Sequence, residues 1–467
     1  MIDELGQTGI VDPGVLAGVP AVIIPKPFNL ADEDETGKQS LFDEANSKVE
    51  QWENRMSPFF GEFEEYTSSW RVQSSQKSKK PRGLFNSKSG ETHRSVETLM
   101  TLWLRSMTAA DPFFEAVGEG VDEFGDAYTE EELYAAEAVR RRSLNKIRFK
   151  EKLARGLRSL ALFGSQIFEC PYIKLPYGNG EKYFEGTDLI PRSLLTTGFN
   201  PFVYDLDMAD YIFTIDFLSK WALKNVSSLD AHSWDLTKIN DVFKRDNGNN
   251  SPNNSKGQSY SRVIQRKQRA GYNVTDGDVW ELVGYHGRVD VNNPVIAHWW
   301  EWAGREDDPA YCDFSLKTMN GEGLVGFYPT PFKTWKHLFK TTHFKLFEME
   351  PIGYGVGKIG RKRQKELDAT ESVTNDLLMF ALISMWKVGK YAGIDTSQLT
   401  LRPNGFVTME DISQLEPIRP HIEALAHSIN IQNNWKQDFR TSTGAPATLQ
   451  SIAEGGTATE NVIIQNE

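Results

Sequence analysis

Three glycines near residue 355 come closer to a catalytic signature than any other pattern in the sequence. Gly355, Gly357 and Gly360 match GxGxxG and open a predicted helix, which is the arrangement that binds a dinucleotide when a buried strand precedes it. Residues 348–351 instead contain two glutamates and a proline, and Asp376, an acid near the required distance, lies on the same predicted helix. A dinucleotide-dependent oxidoreductase using these three glycines therefore stands only as the alternative function.

Metal-binding and nucleophilic patterns do not strengthen the case for an enzyme. The two cysteines, Cys170 and Cys312, are far apart and outside any CxxC spacing. Two pairs of histidines are spaced six residues apart, which places the members of each pair on different faces of a helix, and HExxH and GxSxG motifs are absent. The sequence therefore predicts no metal site, no cofactor and no enzymatic activity.

A cluster of basic residues occupies the first turns of the same predicted helix. Its members are Arg361, Lys362, Arg363 and Lys365. The helix macrodipole favours anions at this end, so cations here need acidic or phosphate groups against them. We therefore expect the cluster to face acids elsewhere in the chain or in a neighbouring subunit.

The overall charge limits the classes of partner. The chain of 467 residues has a formal net charge of -12, which argues against a broad, affinity-driven grip on nucleic acid but permits weak sliding contact. The two longest apolar runs are 14–25 and 377–386. The first lacks the basic flank of a signal peptide, and the second is about half as long as a membrane span. No membrane partner is expected.

An α+β chain must position these residues. Residues 1–39 predict an arm, helical periodicity then dominates to residue 163 with a break at Pro58, and short apolar runs predict strands further on. Those runs are 202–205, 211–215, 279–285, 295–302, 324–328 and 344–349. Residues 246–276 are rich in Asn, Ser, Gly and basic side chains, and they predict a mobile insertion because they offer little to bury.

The C-terminal third predicts two long helices around a small β-rich insert. Residues 357–384 are helical, and their apolar stripe is suited to packing against copies of itself or another long helix. The stripe consists of Leu367, Thr370, Thr374, Leu377 and Ala381. Strand-like runs and the turn Pro403-Asn404-Gly405 occupy 387–415. A second helix begins after Pro420, with a bend expected near Ile431.

A glycine-rich loop is predicted after the second helix. Residues 442–456 contain several Gly and one Pro but no Lys or Arg, so a loop that grips phosphate is not expected. Thr457 and Glu460 have capping-box spacing and begin another helix. The sequence ends shortly afterwards, which suggests a piece of a longer protein.

This order of elements resembles the portal proteins of tailed bacteriophages, the podovirus-type head-to-tail connectors. The residues that carry the resemblance are short, mostly glycine-led motifs in a shared order. They are Gly353-Tyr354-Gly355-Val356-Gly357, Gln364, Asn375, Pro403-Asn404-Gly405, Thr443-Gly444-Ala445-Pro446 and Gly455-Gly456-Thr457-Ala458-Thr459-Glu460. Four upstream segments, 52–66, 95–111, 153–168 and 201–210, also resemble the wing of these proteins.

The resemblance implies a portal fold with a helical/β wing, a two-helix stem, a small α/β clip and a tunnel loop. The implied segments are an N-terminal arm over 1–39, the wing over 40–355, the first stem helix over 356–386, the clip over 387–418, the second stem helix over 419–441, the tunnel loop over 442–456 and the start of a kinked helix over 457–467.

The implied function is that of a conduit. A homo-oligomeric ring, usually of twelve subunits, would stand at one capsid vertex of the virion after assembly in the host cytoplasm, in contact with the major capsid protein. Double-stranded DNA would pass through its channel without sequence specificity during packaging and ejection. The terminase large subunit, and then the head-to-tail adaptor, would dock on the clip.

The resemblance also implies site residues. The implied clip residues that receive the terminase and adaptor are Lys390, Arg402, Pro403, Asn404 and Gly405. The implied channel residues of the tunnel loop are Thr443, Gly444, Pro446, Leu449, Ile452, Glu454, Gly455 and Gly456. Because the loop has Leu449 and Ile452 as its largest apolar groups and Glu454 as its one charge, we expect it to act by bulk and by repulsion of phosphate.

Overall fold

The protein is described by a computed structural model in which a set of helices surrounds small antiparallel sheets. It describes residues 28–72, 87–109, 129–177, 182–203, 206–227, 233–246, 258–272, 279–305, 308–329, 334–346, 350, 352–382, 385–388, 415–418 and 422–444. The mixture of helices and strands confirms the predicted α+β class.

The described α-helices and strands alternate irregularly along the chain. The helices are α1 (Glu35–Trp70), α2 (Glu91–Thr108), α3 (Glu130–Lys146), α4 (Phe149–Phe163), α5 (Lys220–Ser227), α6 (Leu236–Asp246), α7 (Gln258–Arg269), α8 (Pro294–Ala303), α9 (Val356–Leu382) and α10 (Ile422–Thr443). The strands are β1 (Ser165–Glu169), β2 (Tyr172–Tyr177), β3 (Lys182–Thr187), β4 (Ile190–Arg192), β5 (Thr197–Phe199), β6 (Tyr211–Ser219), β7 (Val279–Gly287), β8 (Phe314–Met319), β9 (Gly323–Pro329), β10 (Phe339–His343), β11 (Met385–Val388) and β12 (Leu415–Ile418).

The largest sheet is an antiparallel meander in the order β5-β6-β7-β8-β9. Strands β6 and β7 pair from Tyr211 opposite Gly287 to Ser219 opposite Val279. The predicted strands over 211–215, 279–285 and 324–328 lie within β6, β7 and β9 and are confirmed. Antiparallel meanders of this kind can be closed by short connections, so they need no intervening crossover helix.

Helix α1 is a single helix of 36 residues that crosses the predicted break. It begins at Asp34, whose side chain accepts a hydrogen bond from the Gly37 amide at 3.1 Å. A proline in a helix interior costs about 3 kcal/mol, but the helix continues through Pro58 because apolar side chains on both sides of it are buried in one core. These side chains include Leu41, Val49, Trp52, Met56, Phe60 and Phe63. The predicted break at Pro58 is therefore wrong.

The other three predicted strands differ from the structure. In the run over 202–205, residue 202 lies in a turn and residue 203 is irregular, and residues 204–205 lie outside the described ranges. Residues 295–302 form most of helix α8, because Asn293 caps it by accepting a hydrogen bond from the Val295 amide at 3.0 Å and Pro294 takes the first helical position. An apolar run of this length is ambiguous between a buried helix and a strand. The strand predicted over 344–349 is wrong where the structure describes it: residues 344–346 are irregular and follow strand β10, which pairs with β1, and residues 347–349 lie outside the described ranges.

The predicted mobile insertion over 246–276 contains an anchored helix. Within it, α7 is held by Arg266, whose guanidinium donates to both oxygens of Glu53 at 3.0 Å and to Glu281 at 2.9 Å. Arg266 is 5% exposed and Glu281 is fully buried. The polar composition of 246–276 was a poor guide because a buried ion network, together with the buried Val263, fixes this helix.

The described helices and side chains lack two kinds of site. No helix in the described ranges is both long and apolar enough to cross a bilayer. Among the same residues, no group of three or more His, Cys, Asp or Glu side chains is arranged to hold a metal ion.

Candidate functional site

The candidate functional site is the hairpin of α9 and α10, which we call the stem hairpin. Helix α9 begins at Val356, where the first stem helix is predicted, and ends at Leu382, so that residues 385–386 belong to strand β11 instead. Helix α10 begins at Ile422 and is unbroken to Thr443, without an interruption at Ile431. At the far end, β11 and β12 pair antiparallel, with Met385 opposite Ile418.

The glycines before and within α9 are explained by close packing. A Cβ atom at Gly355 would lie 2.5 Å from the Leu162 carbonyl oxygen, and one at Gly357 would lie 2.5 Å from the Tyr66 ring. The Gly353 amide donates to the Ser165 hydroxyl at 2.7 Å, which ties this turn to β1. The protein itself therefore fills the space in front of these glycines, and every strand pair in the described sheets is antiparallel. These contacts do not favour the dinucleotide alternative.

The basic cluster on α9 meets acids of the same chain. Arg361 contacts Glu62 at 2.6 Å and Glu65 at 2.8 Å, and Lys365 contacts Glu65 at 2.7 Å. Both of these acids lie on α1, so the acidic partner expected for the cluster belongs to the same chain.

The other two members of the basic cluster behave differently. Arg363 lies 2.9 Å from Glu366 on its own helix and 3.8 Å from Asp438 on α10. Lys362 is exposed, and no ion pair involves it within the described part of the chain. The cluster thus links α9 to α1 on one side and to α10 on the other.

Electrostatics at this junction keep Glu65 ionised and Tyr66 protonated. Burial opposes ionisation of Glu65, but hydrogen bonds from Lys365 and Arg361 outweigh it and lower the pKa of this carboxyl. Burial, together with the hydrogen bond to Glu62 at 2.9 Å, raises the pKa of the Tyr66 phenol. The contact between α1 and α9 therefore keeps its charges at neutral pH.

A polar row along α9 pins the segment 87–92, which leads into α2. The Thr92 amide and hydroxyl donate to Gln364 at 3.1 and 2.8 Å. The Asp368 carboxylate accepts from Lys88 at 2.8 Å and from the Ser89 amide at 3.0 Å. Lys88 is thus anchored to the stem hairpin.

The same row continues toward the far end of α9. The Ser87 amide donates to the Ser372 hydroxyl at 3.0 Å, and Asn375 donates to the Ser87 hydroxyl at 2.6 Å. Gln364 and Asn375, two residues that carry the family resemblance, therefore both hold the segment 87–92 against α9. Glu91 of α2 adds a bidentate contact from Arg440 of α10, at 2.9 and 3.1 Å.

The far half of the stem hairpin buries polar side chains and leaves several large apolar ones exposed. Thr374 contacts the Ser428 hydroxyl at 2.7 Å and accepts from Gln432 at 2.6 Å across the two helices. Among the described side chains of 368–382 and 425–438, the buried ones are polar: Thr374 and Gln432 lie between the two helices, and Asp368 and Ser372 lie against the segment 87–92. Four large apolar side chains are exposed, namely Val373, Leu378, Met379 and Ile429, and four more are half-buried, namely Leu377, Leu425, Ile431 and Trp435.

Near the body, the two helices are joined by a ring seated on a glycine. Phe439 of α10 is fully buried, and its ring lies where a Cβ at Gly360 would be, at 2.3 Å. We expect Gly360→Val to lower the free energy of unfolding by about 1–3 kcal/mol, because the ring must leave its place in the core. Chemical denaturation measures this change.

The same substitution at Gly61 is the matched control for Gly360→Val. Gly61 is also inside a helix, but no atom lies within 4 Å of its Cβ position. Gly61→Val is expected to change the free energy of unfolding by no more than about 0.5 kcal/mol. Equal effects of the two substitutions would show that the seating of Phe439 on Gly360 does not stabilise the hairpin.

The first residues assigned to the tunnel loop belong to a helix. Helix α10 includes Ser442 and Thr443, and Thr443 is fully buried with its hydroxyl donating to the Phe439 carbonyl at 2.8 Å. Thr443 is therefore not a loop residue, because the helix continues until Gly444, whose φ of 79° ends it. Pro446, Leu449, Ile452, Glu454, Gly455 and Gly456 lie outside the residues that the structure describes.

The predicted clip residues cannot be placed in the same way. Lys390, Arg402, Pro403, Asn404 and Gly405 all lie outside the described ranges, as does the rest of the predicted β-rich insert over 389–414. The pairing of β11 with β12 does show that the two ends of this insert lie side by side.

Sequence reasoning missed the partners that hold the stem hairpin. Glu62 and Glu65 are spaced as neighbours on one face of α1, which is a usable signal for a basic partner. The segment 87–92 offers no such signal, because its short polar side chains are typical of any loop.

Comparison of the chain with protein-family models and with curated proteins finds no match.

Proposed function

We propose that the protein is a portal-type conduit, a homo-oligomeric ring at a capsid vertex through which double-stranded DNA is packaged and ejected. The α9–α10 hairpin serves as the stem, and the insert between β11 and β12 serves as the clip. In this proposal the terminase large subunit and later the head-to-tail adaptor dock on the clip, and the wing contacts the major capsid protein. The portal itself carries out no chemical reaction.

One observation carries the proposal: the far half of the stem hairpin buries polar side chains and leaves several large apolar ones exposed. A hairpin exposed to water on all sides would bury its apolar side chains between its helices, because burial of apolar surface is the main favourable term. Val373 is 52% exposed and Ile429 is 42% exposed in the single chain. Neighbouring copies in a ring would cover these side chains.

The anchoring of the hairpin supports the same proposal. Ion pairs to α1 and hydrogen bonds to the segment before α2 fix α9 on the body, so that the hairpin projects at a defined angle. Subunits in a closed ring need such a fixed angle, because each contact is repeated around the axis.

The mass of the purified protein tests the proposal directly. Twelve copies of 52.9 kDa give a particle of about 630 kDa. Light scattering should detect a closed particle near that mass, and negative-stain images should show rings with a central channel. A monomer or dimer at all accessible concentrations would reject the ring.

A further inference from the structure

The junction of α3 and α4 carries a dense run of positive charge in an otherwise acidic chain. Between Arg140 and Arg158 the sequence has nine basic residues and one acidic residue, whereas the whole chain has a net charge of -12. The two helices meet at Arg148, which has a left-handed backbone conformation with a φ of 55°. The run therefore bends into an elbow.

Two of these cations are used within the fold. Arg158 contacts Glu97 at 2.7 Å, and Lys152 forms an ion pair with Asp188. Such pairs orient α4 on its neighbours, so these two side chains are assigned to structure.

Four other arginines of the run point to an external anion. Arg140, Arg142 and Arg155 are exposed, and none of them forms an ion pair with another residue that the structure describes. Arg148 pairs with Glu151 at 3.9 Å, and its side chain remains 76% exposed. We call Arg140, Arg142, Arg148 and Arg155 the basic elbow.

Two recesses flank the basic elbow. One, of about 640 Å³, lies against α3 and is lined by Tyr134, Arg142 and neighbouring side chains. The other, of about 410 Å³, lies against α4 and is lined by Arg155, Lys152 and Arg192. Each gives an arginine of the elbow a concave surface in which a bulky anion can lie.

We propose that the basic elbow binds the phosphate backbone of double-stranded DNA without reading its sequence. Duplex DNA presents about one negative charge per 1.7 Å along its axis, so a local excess of exposed cations attracts it. The guanidinium fork matches phosphate oxygens in bidentate geometry, and all four residues of the elbow are arginines. The acidic net charge of the chain excludes a broad grip, and this patch is a local exception to it.

The surface fits a duplex better than a single strand. Proteins that bind single strands combine basic grooves with several aromatic side chains on which bases stack. Among the described residues 130–163, Tyr134 is the one exposed aromatic side chain. The proposal rests on these charges and not on assembly of the subunits into a ring, so it applies to any oligomeric state.

Fluorescence anisotropy with a labelled duplex of about 30 base pairs, titrated between about 50 and 200 mM salt, tests the proposal. The variant is Arg140→Ala with Arg142→Ala and Arg155→Ala in the full chain. Each lost phosphate contact lowers the slope of log affinity against log salt by about 0.9, so the slope should fall by about 2–3. The affinity at the lowest salt should fall at least about tenfold.

A second triple variant controls for net charge. Arg55→Ala with Arg71→Ala and Arg288→Ala removes the same three charges from exposed sites elsewhere, and it should bind DNA like the wild type. Equal losses in both variants, no binding by the wild type at the lowest salt, or tighter binding of polyglutamate than of DNA would overturn the proposal. Mass measurements on the same samples separate this result from any failure of ring assembly.

Discussion

Replacing Arg266 by alanine is expected to lower the free energy of unfolding by about 3–5 kcal/mol, the largest effect of any single substitution that we consider. The guanidinium neutralises Glu53 and Glu281 inside the protein, at 3.0 and 2.9 Å. Arg269 remains 3.1 Å from Glu53 in the variant, whereas Glu281 loses its ion-pair partner and keeps the weaker attraction of Lys267. A fully buried carboxylate would then lack its counter-ion.

Chemical denaturation measures the loss in Arg266→Ala, and limited trypsin digestion locates it. If α7 detaches, cleavage within 258–272 should become much faster than in the wild type. Arg262→Ala is the matched control, because Arg262 lies one turn earlier on α7 and pairs with Glu50 at the surface, where both side chains are about one-third exposed. Exposed pairs contribute about 0–1 kcal/mol, so equal effects of Arg262→Ala and Arg266→Ala would contradict the role of the buried network.

Placing aspartates at Val373 and Ile429 is expected to convert rings of the protein into single subunits. In the proposed ring these side chains are covered by neighbouring copies, and burial of two unpaired charges at each repeated contact costs more than the contact gains. Because both side chains lie on the exposed surface of the hairpin in the single chain, the fold of the subunit should survive. Light scattering should show the mass falling from about 630 kDa to that of one chain, 52.9 kDa.

Two exposed asparagines on α10 provide the control for this variant. Asn430→Asp with Asn434→Asp adds the same two charges to the hairpin without removing apolar surface. These rings should assemble as in the wild type. Normal rings from Val373→Asp with Ile429→Asp, with an unchanged melting temperature, would show that the apolar outer side chains are not the subunit contact.

The C-terminal hairpin was the part of the fold most open to sequence analysis. Its apolar stripe has helical spacing over many residues, and turn residues separate it from the insert, so local periodicity suffices to predict two helices and a β-rich connection. The start of α9 at Val356 follows the glycine-rich turn that is visible in the sequence. The basic cluster on α9 likewise indicated an acidic partner, because cations at a helix N-terminus need one.

Where a local sequence pattern and tertiary packing favour different structures, the tertiary contacts decided which structure forms. Pro58 interrupts a helical pattern in sequence, but α1 continues because side chains before and after it share one core. Residues 246–276 look too polar to fold, yet Arg266 finds two buried carboxylates that are distant in sequence, at positions 53 and 281. Neither outcome can be read from neighbours along the chain.

The sequence by itself determined the α+β class, the two long C-terminal helices and the presence of unmatched charge on α9, since these depend on composition and short-range spacing. Only the tertiary structure decided which acids meet that charge, why Gly355, Gly357 and Gly360 are glycines, and that the far half of the stem hairpin buries polar side chains while several large apolar ones are exposed. The physical reason is that side-chain burial is a property of the face a residue presents to distant elements, and a single sequence does not specify that face.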